Sequence, residues 1–380
     1  MRFLPVASGK GGVGKSLVAA NLAIALSRMG HRTTLVDLDM GGSNLHMILG
    51  LRNLRGGLGT FLSDKGSDFG EVIVDTDYSG LRFVPGDAEI PGMANLAVTQ
   101  KRSLIKHLRN LDTDYVVVDL GAGTHLNTLD FFLVSNRGVV VTTPTPTATV
   151  NAYLFVKNLV FRLITTSTKA KSKAREYLNG LKHNSATLRS IYIPQLVAKI
   201  GEIDPHSHAA VVHALERLRP RIILNMLEDP KDAEKALRLR RSCQQYLGLD
   251  LEHLGIVYRD ELQDVALSSG LPIVVYKPDS LLSQAIFRIG DKLLASPEDE
   301  ADASRWESVS ASFEEAETEA EADFEVKMDY VEELMQTGAL STGDLVETIK
   351  QQQLEMKHLR RELALYKSKL VKAMKAGFKP

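Results

Sequence analysis

The sequence predicts an α/β fold: a doubly wound, mostly parallel sheet with helices on both faces. Three observations predict it. Short apolar runs alternate with helix-length segments through residues 1–295, the rhythm of a parallel sheet covered on both sides. The first run, Phe3 to Ala7, leads directly into Ser8-Gly9-Lys10-Gly11-Gly12-Val13-Gly14-Lys15-Ser16. Two later runs, His31 to Asp39 and Tyr115 to Asp119, end in aspartate, which puts carboxylates where open parallel sheets bind ligands.

The glycine stretch fits Gly, four residues, then Gly-Lys-Ser, the phosphate-loop pattern of the P-loop NTPases. Its glycines let backbone N–H groups converge on an anion, and the positive end of the next helix adds to the attraction. That helix is the Ala/Leu-rich pattern Leu17 to Met29, stopped by Gly30. Lys15 is expected at the β- and γ-phosphates of ATP, and the Ser16 hydroxyl at Mg²⁺. The expected nucleotide-binding residues are Gly9, Lys10, Gly11, Gly12, Val13, Gly14, Lys15, Ser16 and Leu17. Lys10 adds a second cation whose sign suits transition-state charge on a polyphosphate.

Asp37 and Asp39 close the second strand and meet Gly41 and Gly42. One of the two is placed to orient a water or a metal-bound water. Asp119 precedes Leu120-Gly121-Ala122-Gly123, where a carboxylate can hold Mg²⁺ through its water shell. Leu58 to Leu62 is a short helix, Leu81 to Pro85 a strand, and Thr99 to Asn110 a basic helix. Val139 to Thr143 is a buried strand, followed by a helix to about Leu163.

Residues 165–220 interrupt the rhythm and read as a helical insertion on the sheet edge. Its first half is basic: Lys169, Lys171, Lys173, Arg175, Lys182 and Arg189 face Glu176 alone. That is a solvated helix face, or a contact surface for lipid phosphate, nucleic acid or an acidic partner. The core resumes at Arg221 to Asn225, where Asn225 offers a donor and an acceptor suited to the edge of adenine. Met226 to Gly248 reads as a helix with clustered Arg238, Arg240 and Arg241. Leu254 to Tyr258 and Pro272 to Tyr276 read as the last strands, and Ser280 to Ala295 as the closing helix.

The composition then changes. Glu298 to Glu325 holds twelve acidic residues and one basic residue, Arg305; such a run repels itself, so 296–327 is expected to be a disordered linker. In 328–380, Leu345, Ile349, Met356, Leu359, Leu363, Tyr366 and Leu370 fall at heptad steps, the pattern of a coiled coil. The last sixteen residues carry five lysines and no acid, a weak membrane-surface helix or a soluble basic end. The whole chain has 380 residues and a formal net charge of −1, so bulk charge points to neither nucleic acid nor membrane. The single cysteine, Cys243, excludes an internal disulfide and a cysteine-rich metal site. No long apolar run or signal pattern is evident, and the reading is cytoplasmic.

Three motifs in order, KGGVGKS at Lys10–Ser16, DLDMGGSNLH at Asp37–His46 and VVVDLGAG at Val116–Gly123, resemble the MinD/ParA family of deviant Walker A ATPases. The runs Thr142–Tyr153 and Val257–Ser280 are most similar to its FlhG-like (YlxH-like) branch. The resemblance covers about residues 1–164 and 221–294. It implies that Lys10 is the signature lysine that reaches a partner's nucleotide, and that Lys15 and Ser16 bind phosphate and Mg²⁺. It further implies that Asp39 positions the attacking water, that Asp119 supports Mg²⁺, and that Asn225 reads adenine; Asp37 is expected at Mg²⁺ or in loop structure. The family often has an acid at the position of Asn151, contacting the signature lysine at rest. The branch usually has an N-terminal extension that stimulates a GTPase, whereas this chain starts almost directly in its first strand.

The resulting expectation is a slow Mg²⁺-ATPase switch that forms an ATP-dependent homodimer and positions a flagellum or another polar structure. A protein partner would bind through the coiled coil or the insertion, and the basic end offers peripheral membrane contact. The rival is a ParA-type segregation ATPase that binds nucleic acid through Arg238, Arg240 and Arg241. A metabolic ATP-dependent amidase or synthetase has no supporting motif.

Overall fold

The computed structural model describes residues 1–39, 42–52, 54, 56–63, 68–86, 96–182, 192–296 and 305–336. The heptads at 345–370 and the basic end lie outside the described residues.

The strands are β1 (Arg2–Ala7), β2 (Thr33–Leu38), β3 (Val74–Asp75), β4 (Leu81–Val84), β5 (Tyr115–Leu120), β6 (Val139–Thr142), β7 (Arg221–Leu227) and β8 (Glu252–Tyr258). They form one sheet in the order β3-β4-β2-β5-β1-β6-β7-β8. Every pairing is parallel except β3 with β4. Every residue of β2, β5 and β6 is buried, which explains why these strands read as continuous apolar runs rather than alternating ones.

The helices are α1 (Lys15–Arg28), α2 (Leu45–Ile48), α3 (Leu58–Ser63), α4 (Val98–Arg109), α5 (Leu126–Phe132), α6 (Pro146–Ser167) and α7 (Lys173–Lys182). They continue with α8 (Ile193–Ile203), α9 (Pro205–Arg217), α10 (Glu234–Leu247), α11 (Leu262–Ser268), α12 (Ile273–Tyr276), α13 (Leu281–Ala295) and α14 (Arg305–Gln336). Leu22 and Leu26 of α1 and Ile286 and Ile289 of α13 share one core with Val6, Leu35, Val117 and Val139 of the sheet. A second helical layer is tied together separately. The Phe132 and Phe155 rings meet edge to face at 5.3 Å across α5 and α6. The Asp130 carboxylate pairs with Lys101 of α4 and, at 2.6 Å, with Arg162 of α6.

Four expectations need correction. Pro272 to Tyr276 is a helical turn, not a strand: the Val275 and Tyr276 N–H groups both donate to Pro272 O, at 2.9 Å. A short β-branched apolar run signals burial without fixing its period, and here Ile273 and Val274 are fully buried in the α1 core. The helix expected from Met226 starts later. β7 continues to Leu227, a 3₁₀ turn capped by Asp229 follows, and α10 then runs to Gly248, which ends it at φ 63°.

The insertion, α7 to α9, packs on the helical layer of α6 and α10 rather than on the sheet edge; β6 and β7 are hydrogen-bonded neighbours inside the sheet, so their connection must cross a face. In its basic half, Arg175 is structural. Its guanidinium donates to Thr168 Oγ1 at 2.8 Å and to the Thr165 and Thr168 carbonyls at the end of α6, as a cation at a helix C-terminus does. Lys169, Lys171 and Lys173 are exposed.

The fourth correction concerns the acidic segment. Residues expected to be a disordered linker are helical from Arg305 onward. Ala316, Ala320 and Asp323 of α14 are buried, and the compact unit that contains the sheet extends from Met1 to Asp323 rather than ending at 295. The second unit begins at Phe324; its described residues are helical, with Val326 and Met328 exposed.

Gly255 of β8 permits the approach of α13: a Cβ there would lie 2.5 Å from Ile289 Cγ1. Gly255→Ala is therefore expected to lower the urea midpoint, with a stability loss of about 1–3 kcal/mol, the usual scale of core overpacking. An unchanged midpoint would show that Ile289 repacks freely.

Candidate functional site

β1 ends at Ala7 and α1 begins at Lys15, so the glycine stretch is the turn between a buried strand and a buried helix. Gly12 and Gly14 sit at φ 79° and 80°, a region that side chains avoid. Gly14 is constrained twice, because a Cβ on it would also lie 2.3 Å from Asn225 Nδ2. The loop is held from two sides. Asn225 Nδ2 donates to Val13 O at 2.9 Å, and Gly123 N–H donates to Ser8 O at 2.9 Å. The end of β7 and the glycine segment after β5 thus both brace the phosphate loop.

The charged residues converge as expected. Lys15 is buried, and its Nζ donates to Asp119 Oδ1 at 2.5 Å and to Ser16 Oγ at 3.3 Å. It lies 3.8 Å from Asp39 Oδ2. Parallel pairing of β2 with β5 sets Asp37 opposite Asp119. Burial pushes the Asp119 carboxyl up to about 6; the Lys15 ammonium opposes the rise, Asp37 adds to it, and Lys15 and Ser16 hydrogen bonds oppose it further. Asp37 is also raised by burial, against hydrogen bonds from Ser43, Asp39 and Leu45.

Of the three residues expected at a metal, Ser16 and Asp119 are brought together, whereas Asp37 is occupied differently. Its Oδ1 accepts the Asp39 N–H at 3.0 Å, and its Oδ2 accepts the Ser43 hydroxyl at 2.7 Å and the Leu45 N–H at 3.4 Å. These bonds tie Asp37 to the loop after β2, one of the two roles expected for it. Asp39 is part-exposed and sits against Gly121, with Oδ1 3.3 Å from where a Cβ would stand. Its partner in the motif, Gly41, lies outside the described residues.

Lys10 occupies the outer side of the loop. Its Nζ donates to Thr147 Oγ1 at 3.3 Å, and Asn151 donates to Thr147 O at 2.8 Å. A neutral hydroxyl therefore holds Lys10 where an acid at Asn151 was the family expectation. Sequence reasoning missed Thr147, Ser43 and Met226. Met226 has φ 58°, the one non-glycine residue with positive φ among those described. It occupies a β7 bulge, with its Cε 3.3 Å from where a Gly14 Cβ would stand. No sequence signal marks a methionine for that conformation. The clustered arginines of α10 do not form one patch. Arg240 turns inward onto Asp250 at 2.8 and 3.2 Å, while Arg238 is exposed near Glu234.

A glycine cradle at the end of β1, a buried lysine at the start of α1, and strand-end carboxylates beside a hydroxyl define a P-loop nucleotide-binding protein with a second, loop-borne lysine. The comparison with known proteins agrees. Residues 4–360 match the CobQ/CobB/MinD/ParA nucleotide binding domain, and the chain belongs to that family; it is an ATPase of the MinD/ParA type. It is 30% identical over 203 residues to the flagellum site-determining protein YlxH of Helicobacter pylori, covering 50% of this chain and 68% of that one. It is 31% identical over 161 residues to the antiactivator FleN of Pseudomonas aeruginosa, covering 42% of this chain and 56% of that one. The cell division ATPase MinD of Pyrococcus furiosus has the same fold, with a TM-score of 0.53 at 20% identity, over 77% of this chain and 98% of that one. No described helix is long and apolar enough to cross a membrane.

Lys15→Ala removes one member of a buried charge pair and the cation nearest the glycine cradle. ATP affinity is expected to fall at least about 30-fold, the lower end of the roughly 2–5 kcal/mol typical of such truncations. Isothermal calorimetry checks this, and near-native affinity would remove Lys15 from the site.

Proposed function

We propose that this chain is a Mg-ATP-driven dimerising switch whose ATP-bound pair positions a cellular structure, with a flagellum or similar polar assembly as cargo. The observation that carries the reading is the different placement of two lysines on one loop. Lys15 is buried among carboxylates of its own chain. Lys10 lies at the outer side, held by a neutral hydroxyl of α6. Thr147, Val150, Asn151 and Leu154 recur at helical spacing along α6, with Val150 and Leu154 58% and 42% exposed. An exposed apolar stripe beside an outward lysine suits a face covered by a second copy.

In this reading the backbone N–H groups of Gly11 to Ser16 and the Lys15 ammonium hold the polyphosphate, which competes with Asp119 for Lys15. Ser16 and Asp119 would hold Mg²⁺, which would supply positive charge to the phosphate oxygens. Asp37 keeps the loop after β2 in place and so places Asp39. Asp39 accepts a hydrogen bond from the attacking water and orients it. The water oxygen bonds to the γ-phosphorus as the bond to the β–γ bridging oxygen breaks, leaving ADP and phosphate. Asn225 keeps its carbonyl and one N–H for the base. Lys10 crosses to the partner's nucleotide and offsets charge there.

The cargo is taken from the flagellum site-determining role of the Helicobacter pylori relative. A protein partner engaging the insertion or the C-terminal region, and peripheral membrane contact through the basic end, belong to the same proposal. The DNA-segregation reading is weaker, because Arg240 of its proposed contact cluster is spent on Asp250.

Asp39→Ala is expected to spare ATP affinity and to cut turnover by about 100-fold or more, the scale of a lost positioned base. The variant should accumulate as a dimer with Mg-ATP, read by light scattering; normal turnover, or a monomer with ATP bound, would take Asp39 out of the mechanism. Lys10→Ala should keep ATP affinity and lose the ATP-dependent dimer. An unchanged dimer mass would end the role given to Lys10.

A further inference from the structure

The acidic helix α14 rests on a surface whose charge and shape match it residue by residue. Arg288 and Lys292 stand one turn apart on α13, and Glu315, Glu319 and Asp323 stand one turn apart on α14. Arg288 meets Asp323 at 2.5 Å and Glu319 at 3.8 Å. Lys292 meets Glu319 at 2.9 Å and Glu315 at 3.5 Å. The numbers rise on one helix as they fall on the other, so the two run antiparallel as a ladder. Between the charges, Ala316 and Ala320 are buried. The Tyr258 hydroxyl, at the end of β8, donates to Ala320 O at 2.7 Å. Burial, then the carboxylates of Asp323, Asp229 and Asp232, push the Tyr258 pKa up, so the hydroxyl keeps the proton it donates.

We propose that the surface formed by Tyr258, Arg288 and Lys292 is an electrostatic docking site for an acidic helix, occupied in cis by residues 314–323. Charge complementarity selects that occupant. Glu315, Glu319 and Asp323 repel one another at helical spacing, so this segment gains its helix where two cations offset the repulsion. Among the described side chains of 314–323, the buried apolar ones are Ala316 and Ala320, the smallest that can mark a contact face. β8 is the last strand of the sheet, and a helix docked at its end covers a margin that would otherwise be open. The ladder is graded as well: Asp323 is 6% exposed and Glu315 is 59% exposed. Salt screens exposed pairs first, with a screening length of about 10 Å at 0.1 M falling to about 3 Å at 1 M. The helix is therefore expected to loosen from its Glu315 end.

Hydrogen exchange on the full-length chain tests this. Amides of 315–323 are expected to be protected at low salt. In Arg288→Glu/Lys292→Glu they should exchange at least about tenfold faster, while β1 and β5 keep native protection, as expected of a locally opening segment. Adding Glu315→Lys, Glu319→Lys and Asp323→Lys to that variant reverses the ladder and should restore protection. Should the α13 changes disturb β1 or β5, the three helix-side changes alone decide, since they leave the sheet core untouched. Native protection of 315–323 in the decisive variant overturns the proposal. So does protection that rises with protein concentration, which would place the helix on another copy.

Discussion

The site depends on holding one ammonium and two carboxylates where almost no water reaches. Asp37 and Asp119 are 0% and 1% exposed, and Lys15 is 6% exposed. Taking such charges out of water is costly, and the cost is offset only by close pairing and saturated hydrogen bonding. The sheet order supplies both. β2, β5 and β1 are consecutive neighbours, so the two acids register opposite each other and the helix that follows β1 brings Lys15 onto Asp119. Asp37 is satisfied by Ser43 and two backbone N–H groups, and Asp119 by Lys15. The rise of the Asp119 pKa to about 6 marks how incomplete the offset is. A polyphosphate that draws Lys15 away from Asp119 would leave that carboxyl to take up a proton or another cation.

Much of this was legible in the sequence because phosphate chemistry restricts residue types. Glycines at positive φ, a lysine and serine opening a helix, and acids ending apolar strands leave marks in the chain itself. The roles within that set were less legible. Asp37 and Asp39 share a residue type and lie two apart, and only the hydrogen bonds of Ser43 and Leu45 separate a loop organiser from a part-exposed carboxylate. Thr147 gave no signal, since the partner of Lys10 is set by how α6 passes the loop rather than by local sequence. The arginines of α10 look alike in sequence, yet Asp250 takes Arg240 out of the surface.

The fold shows the same division. Alternating strands and helices were readable because burial on both faces of a parallel sheet demands apolar runs. Pro272 to Tyr276 was misread since a run of five with only Pro272, Ile273 and Val274 buried is too short to tell a strand from a helical turn. The acidic segment was misread for the opposite reason. Its self-repulsion is real, but the charges that offset it, Arg288 and Lys292, belong to a different helix, and no local pattern announces such pairing. Composition argues for disorder on the premise that a segment stands alone, and α14 does not.

β7 shows how the end of one strand braces the glycine loop of another. The bulge between Asn225 and Leu227 forces Met226 to φ 58°, a conformation that costs an L-residue on the order of 1–3 kcal/mol. Because of that bulge Asn225 and Met226 both lie against Gly14. Asn225 then spends one N–H on Val13 O, fixing the glycine loop between β1 and α1. A single side chain thereby sets the spacing between the end of β7 and the glycine loop. Any Cβ at Gly14 would break that spacing from the other side, which ties the glycine in the loop and the strained methionine in the strand to the same geometric requirement.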